Sequence, residues 1–122
     1  MAVSAKISPV NSLIFIHGSR GWTPPQPVDG KLIWSTPSCI ATACFPEIDG
    51  PTEIILGSAK EVAPAAAFAF DGMLETPQHI VTLTTVDEDR PFLSFDVPGL
   101  QTRVRIWHSH PRWPEKVTIG LG

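Results

Sequence analysis

Thr102-Arg103-Val104-Arg105-Ile106-Trp107-His108-Ser109 is the stretch on which the fold turns. Val104, Ile106 and His108 fall on one side of an extended chain and Arg103, Arg105 and Trp107 on the other, the period of two that a strand with one buried and one wetted face requires. Two other segments carry the same signature. His79, Val81 and Leu83 alternate with Ile80, Thr82 and Thr84, and Val117, Ile119 and Leu121 alternate with Lys116, Thr118 and Gly120. Polar alternation of this kind belongs to antiparallel sheets, whereas the strands of a doubly wound parallel sheet read as unbroken apolar runs. The three segments are therefore expected to lie side by side as antiparallel strands.

Working outward, the dipeptides Asp29-Gly30, Asp49-Gly50, Asp71-Gly72 and Pro98-Gly99 separate runs rich in β-branched and aromatic residues. Glycine supplies positive φ and aspartate tolerates it, so these read as hairpin turns. Strands are expected at residues 12–17, 31–35, 38–45, 52–57, 79–85, 92–97, 102–109 and 116–121, about eight in all. Residues 59–70 offer a helix candidate in the alanine run 65–67, limited to a single turn because Pro64 removes a donor. Residues 21–27 hold three prolines, which excludes a central strand and predicts an extended loop. The fold class is an all-β, antiparallel β-sandwich, aligned or jelly-roll-like, forming one domain over residues 1–122.

Bulk properties agree. The 122 residues are 43% hydrophobic and 17% charged, with 13 Pro and 9 Gly. Frequent punctuation and few charges suit short strands better than surface helices. No apolar run reaches the length of a membrane-spanning helix, and residues 1–8 are too short and polar for a secretory signal, so the expected location is cytoplasmic. The net charge of −3 offers phosphate backbones no attractive field, which speaks against nucleic-acid binding. Cys39 and Cys44 would point to opposite faces of a strand and are read as separate reduced thiols.

Several residues suggest chemistry. His108 and His110, two apart on a strand, can face one metal ion, with Glu115, His17 or His79 as a third ligand. The stretch resembles the His-x-His-Pro strand end of the JAMM/MPN metalloproteases. That family's aspartate ligand has no counterpart, because no Asp follows Asp96. With Glu115 it also resembles the first cupin motif, but that motif's leading glycine is replaced by Thr102. A metal-dependent hydrolase or oxygenase using His108, His110 and Glu115 is one alternative. In the other reading, His108 completes the core face and His110 begins a turn. His17-Gly18 resembles the oxyanion loop of α/β-hydrolases, yet no Gly-x-Ser-x-Gly elbow accompanies it. Asp87-Glu88-Asp89 reads as a solvated hairpin tip. Arg103, Arg105 and Trp107 form an outward strip suited to a protein surface, and Trp22 and Trp113 sit in loops where aromatic anchors mark interfaces.

The segments His79-Ile80-Val81, Pro98-Gly99, residues 102–107 and Pro114-Glu115-Lys116 through Leu121 resemble the bacterial competence protein J family. There a His-Val strand is followed by a Pro-Gly turn, an Arg-x-Arg strand and a closing strand that begins near a Glu. The resemblance covers the carboxyl-terminal third, and the family's terminal Leu-Trp-Pro is replaced by Gly120-Leu121-Gly122. It implies a small cytoplasmic β-sandwich without catalysis, some members of which inhibit a nuclease by binding it.

The functional expectation is a noncatalytic binding module for a protein partner or for a second copy of itself, with no cofactor. Its candidate contact residues are Arg103, Arg105, Trp107, Trp22 and Trp113. A small ligand held between the sheets is a further alternative. Homodimerisation is expected because the low charge leaves apolar surface to cover.

Overall fold

The computed structural model describes residues 2–62 and 67–122. Among them the chain forms ten strands: β1 (Val3–Ile7), β2 (Leu13–His17), β3 (Ile33–Thr36), β4 (Cys39–Ala43), β5 (Thr52–Ser58), β6 (Ala67–Glu75), β7 (Ile80–Thr85), β8 (Glu88–Asp96), β9 (Gln101–His108) and β10 (Lys116–Leu121). The only helical pieces among these residues are single 3-10 turns at Val10–Ser12 and Glu47–Asp49. No helix is long and apolar enough to cross a membrane.

Two five-stranded sheets result. One runs β1-β5-β10-β9-β6 and the other β3-β4-β2-β7-β8. Every pairing is antiparallel except β5 with β10, which run parallel from Glu53 opposite Lys116 to Ser58 opposite Leu121. The core lies where the sheets face each other. Ile54, Leu56, Leu74, Val104, Ile106, Val117 and Ile119 of the first sheet pack in one cluster with Ile14, Ile16, Ile40, Val81 and Leu83 of the second. All are excluded from solvent, each contributing roughly 1.5–3 kcal/mol of transfer free energy.

All the strands expected from the sequence are present, with ends shifted by a few residues, and the structure adds β1 and β6. The β6 strand corrects two expectations. Residues 67–70 of the helix candidate are strand, 58–62 form one turn in which the Glu61 and Val62 amides donate to the Ser58 carbonyl, and 63–66 lie outside the described residues. Pairing along β9 overrides the alanine propensity. Asp71-Gly72 is likewise interior to β6, not a turn. A Cβ on Gly72 would fall 2.7 Å from the Phe70 ring, so glycine here makes room for that ring.

Of the other Gly corners, Asp29-Gly30 is a turn, with Gly30 at positive φ and the Lys31 amide on the Val28 carbonyl at 3.2 Å, but it lies inside the β2–β3 loop and joins no paired strands. Asp49-Gly50 leads from β4 to β5 and Pro98-Gly99 from β8 to β9, and both connections pass from one sheet to the other. Tight hairpins occur instead at residues 37–38 and 86–87. Consequently β7 is not beside β9 and β10, as its alternation suggested, but belongs to the opposite sheet. Alternation reports a half-buried strand and carries no information about which sheet it joins.

Candidate binding site

On β9, Thr102, Val104, Ile106 and His108 are buried, Arg103 is exposed, and Arg105 and Trp107 are half-buried. The predicted strip is therefore outward. Register with β6 sets Phe68 opposite Trp107, Asp71 opposite Arg105 and Met73 opposite Arg103 on the same outer face. Phe68 meets the Trp107 ring edge-on at 5.7 Å. The Arg103 guanidinium donates to both Asp71 carboxylate oxygens, at 2.9 and 2.6 Å. That hydrogen bond holds the Asp71 carboxyl below the usual carboxylate range. Arg105 donates through Nη2 to the Gly122 backbone oxygen at 2.7 Å, and its buried Nε has no acceptor among the described residues. Trp107 lies against Gly120 of β10, where a Cβ would come within 3.1 Å of the indole, so a side chain there would push the ring aside by a few tenths of an ångström.

Phe68 and Met73 are 57% and 53% exposed. The sequence reading overlooked both, along with Asp71. Phe70, Gly72 and Leu74 do show a period of two, but the adjoining alanine run and the Asp-Gly pair masked it. A hollow of about 750 Å³ opens beside this face, lined by Lys60, Phe95, Val97, Arg105, Leu121 and neighbouring residues.

The other two tryptophans lie elsewhere. Trp22, in the proline-rich loop, stacks on His17 of β2 with ring centroids 4.4 Å apart and planes at 10°, and packs against Phe15 at 5.2 Å. The loop is fastened to β3 and the turn that follows it: the Thr36 hydroxyl donates to the Thr23 carbonyl, the Thr23 amide to Ser38 Oγ, and the Trp34 indole to the Val28 carbonyl. Under this lid His17 is buried, with Nδ1 bonded to the Thr82 hydroxyl at 3.0 Å and Nε2 to the Thr84 hydroxyl at 3.1 Å. Burial pushes its pKa down. Trp113 is exposed in the loop from β9 to β10 and stacks on His110, 5.7 Å away.

The two imidazoles of the metal alternative part company. Strand β9 ends at His108, so His110 falls in the bend beyond it and the strand relationship between the two no longer holds. His108 is 3% exposed and its Nε2 lies 2.8 Å from the Thr42 hydroxyl on the facing sheet. Burial lowers its pKa to about 4. His110 Nδ1 accepts the amides of Arg112 and Trp113, at 3.0 and 3.1 Å, which leaves the ring proton on Nε2, the nitrogen a metal would need. Among the described residues no group of three or more His, Cys, Asp or Glu side chains could hold a metal ion. His79 has its Nδ1 on the Pro98 carbonyl at 3.1 Å. Cys39 and Cys44 are free and buried, each with its thiol pushed up to about 12 by burial.

No protein-family model matches the chain, and neither does any curated protein. Among solved structures, the crystal structure of ComJ, inhibitor of the DNA-degrading activity of NucA, from Bacillus subtilis, superposes over 99% of this chain and 93% of its own, with a TM-score of 0.63. The chain has the fold of ComJ. The likeness to ComJ thus runs through the whole sandwich and not only through the carboxyl-terminal third that carried the sequence resemblance. At 14% identity it carries architecture, not residue roles.

Proposed function

We propose that the chain is a noncatalytic protein-binding module that engages its partner through the outer face of β9 and β6, with a nuclease as the partner. The observation that carries the reading is the cross-strand patch in which exposed Phe68 and Met73 flank Trp107 and the Arg103–Asp71 pair. Aromatic and guanidinium groups on a rigid sheet are what protein interfaces concentrate. ComJ, with the same fold, inhibits a nuclease, which supports this class of partner. The test is a DNA-degradation assay on nucleases that co-purify with the chain in its native host. Stoichiometric inhibition, lost in Arg103→Glu and Trp107→Ala variants that still fold, supports the proposal. Inhibition that survives both changes, or an intrinsic hydrolytic activity of the chain, overturns it.

Self-association is a second reading, favoured by the β6 edge. The other three edges are guarded: β3 has four residues, β1 carries Lys6, and β8 carries Asp89, Arg90 and Pro91. The nine residues of β6 contain neither lysine nor proline, and of their two carboxylates Asp71 is engaged by Arg103 of β9. Its Glu75 amide is capped by the Pro37 carbonyl while the Thr76 amide turns inward to Leu100, so alternation directs the Asp71 and Met73 amides outward. Light scattering at high concentration tests it: a dimer mass supports the reading and a monomer mass overturns it.

A further inference from the structure

The loop from β9 to β10 is a built feature. Its base is closed by the Ser109 amide on the Lys116 carbonyl, at 3.0 Å, and by the Lys116 amide on Ser109 Oγ, at 2.9 Å. Its tip is wound around His110 Nδ1, which gathers the Arg112 and Trp113 amides and brings the indole into a stack with the imidazole at an interplanar angle of 19°. These rings border a cleft of about 470 Å³, lined by Phe45, Ser109, His110, Trp113, Glu115 and Lys116. A second hollow of about 360 Å³ shares Phe45, Glu115 and Lys116 and adds Asp49, Glu53 and Lys6. The cleft itself holds one carboxylate, Glu115, and one ammonium, Lys116, whose Nζ is already engaged by Glu53 of the adjoining hollow at 3.7 Å.

Aromatic surface beside a carboxylate whose neighbouring ammonium is engaged elsewhere supplies the ingredients of a cation site. A planar guanidinium can lie on the indole face while its N–H fork meets a carboxylate, an arrangement that lysine or a neutral side chain cannot reproduce. We propose that this cleft receives an arginine side chain of a protein partner, stacked against Trp113 and hydrogen-bonded to Glu115. The site shares no residue with the β9–β6 patch, and it stands or falls separately from that reading.

The experiment titrates the intact chain with Nα-acetyl-arginine amide and follows the Trp113 indole N–H resonance, with the citrulline analogue as the uncharged control. The expected result is a saturable shift produced by the arginine probe and not by citrulline. It should weaken about tenfold in Glu115→Gln, as loss of one charge-assisted hydrogen bond implies; in Trp113→Ala, which lacks the indole reporter, the Glu115 backbone amide resonance should no longer respond to the arginine probe. Both side chains are at the surface, and an unchanged thermal midpoint confirms that the variants are folded. An absent shift, an equal response to citrulline, or undiminished binding by Glu115→Gln overturns the proposal.

Discussion

The Nε2 of His108 lies 2.8 Å from the Thr42 hydroxyl, and this bond ties the inner face of one sheet to the inner face of the other. The Thr42 hydroxyl also reaches the Ala43 carbonyl at 3.2 Å, so the imidazole N–H donates and the hydroxyl passes its own proton on. Thr42→Val removes the acceptor and leaves a buried N–H unpaired. It should cost about 1–3 kcal/mol, read from the urea midpoint.

Acid should act through the same ring. His108 takes up a proton near 6.5 when unfolded and only near about 4 when folded. Between those values the unfolded chain binds more protons, so stability falls as the pH drops through this window and levels off below it. The loss amounts to about 3 kcal/mol. Unfolding profiles at pH 7 and pH 4 for the parent and His108→Gln should differ by this segment, and parallel profiles would contradict the assignment.

Trp22 covers Phe15 and His17 from outside the sheet. Trp22→Ala should expose both and lower stability by about 2 kcal/mol. Proteolysis should then begin in residues 19–30, because the lid has lost the contact that seats it.

The thiols of Cys39 and Cys44 ionise only near about 12, so almost none is thiolate at pH 8. Alkylation by iodoacetamide should be negligible in the native protein and rapid in 6 M guanidinium. Fast native labelling would show that the β4 segment opens.

Arg103→Gln should let the Asp71 carboxyl return toward the ordinary range in an NMR titration, since the guanidinium hydrogen bond is the main cause of its depression. The pair is solvent-exposed and screened, so the thermal midpoint should not move measurably.

Much of the sandwich was legible because its strands are half-buried, and period two is the visible trace of that. β9 is the clearest case, with its buried and outward residues falling where alternation put them. What escaped was information that alternation does not hold. β6 opens on residues that favour helix, and only its pairing with β9 makes it strand. On β10, Thr118 and Gly120 should have been wetted but are buried, because Trp107 and the 58–62 turn cover that side. Of the site residues, the Arg103–Trp107 strip could be read locally. Its partners Phe68 and Met73 arrive through register, which no single segment encodes.

The parallel pairing of β10 with β5 also governs the order in which the chain can assemble. Residues 116–121 are the wedge between β5 and β9, so one half of the sandwich remains two separate ribbons, β1-β5 and β9-β6, until the tenth strand has been synthesised and slots in. Nascent chains stalled before residue 116 would leave the β5 and β9 edges that flank the tenth strand unpaired and the core without Val117, Ile119 and Leu121.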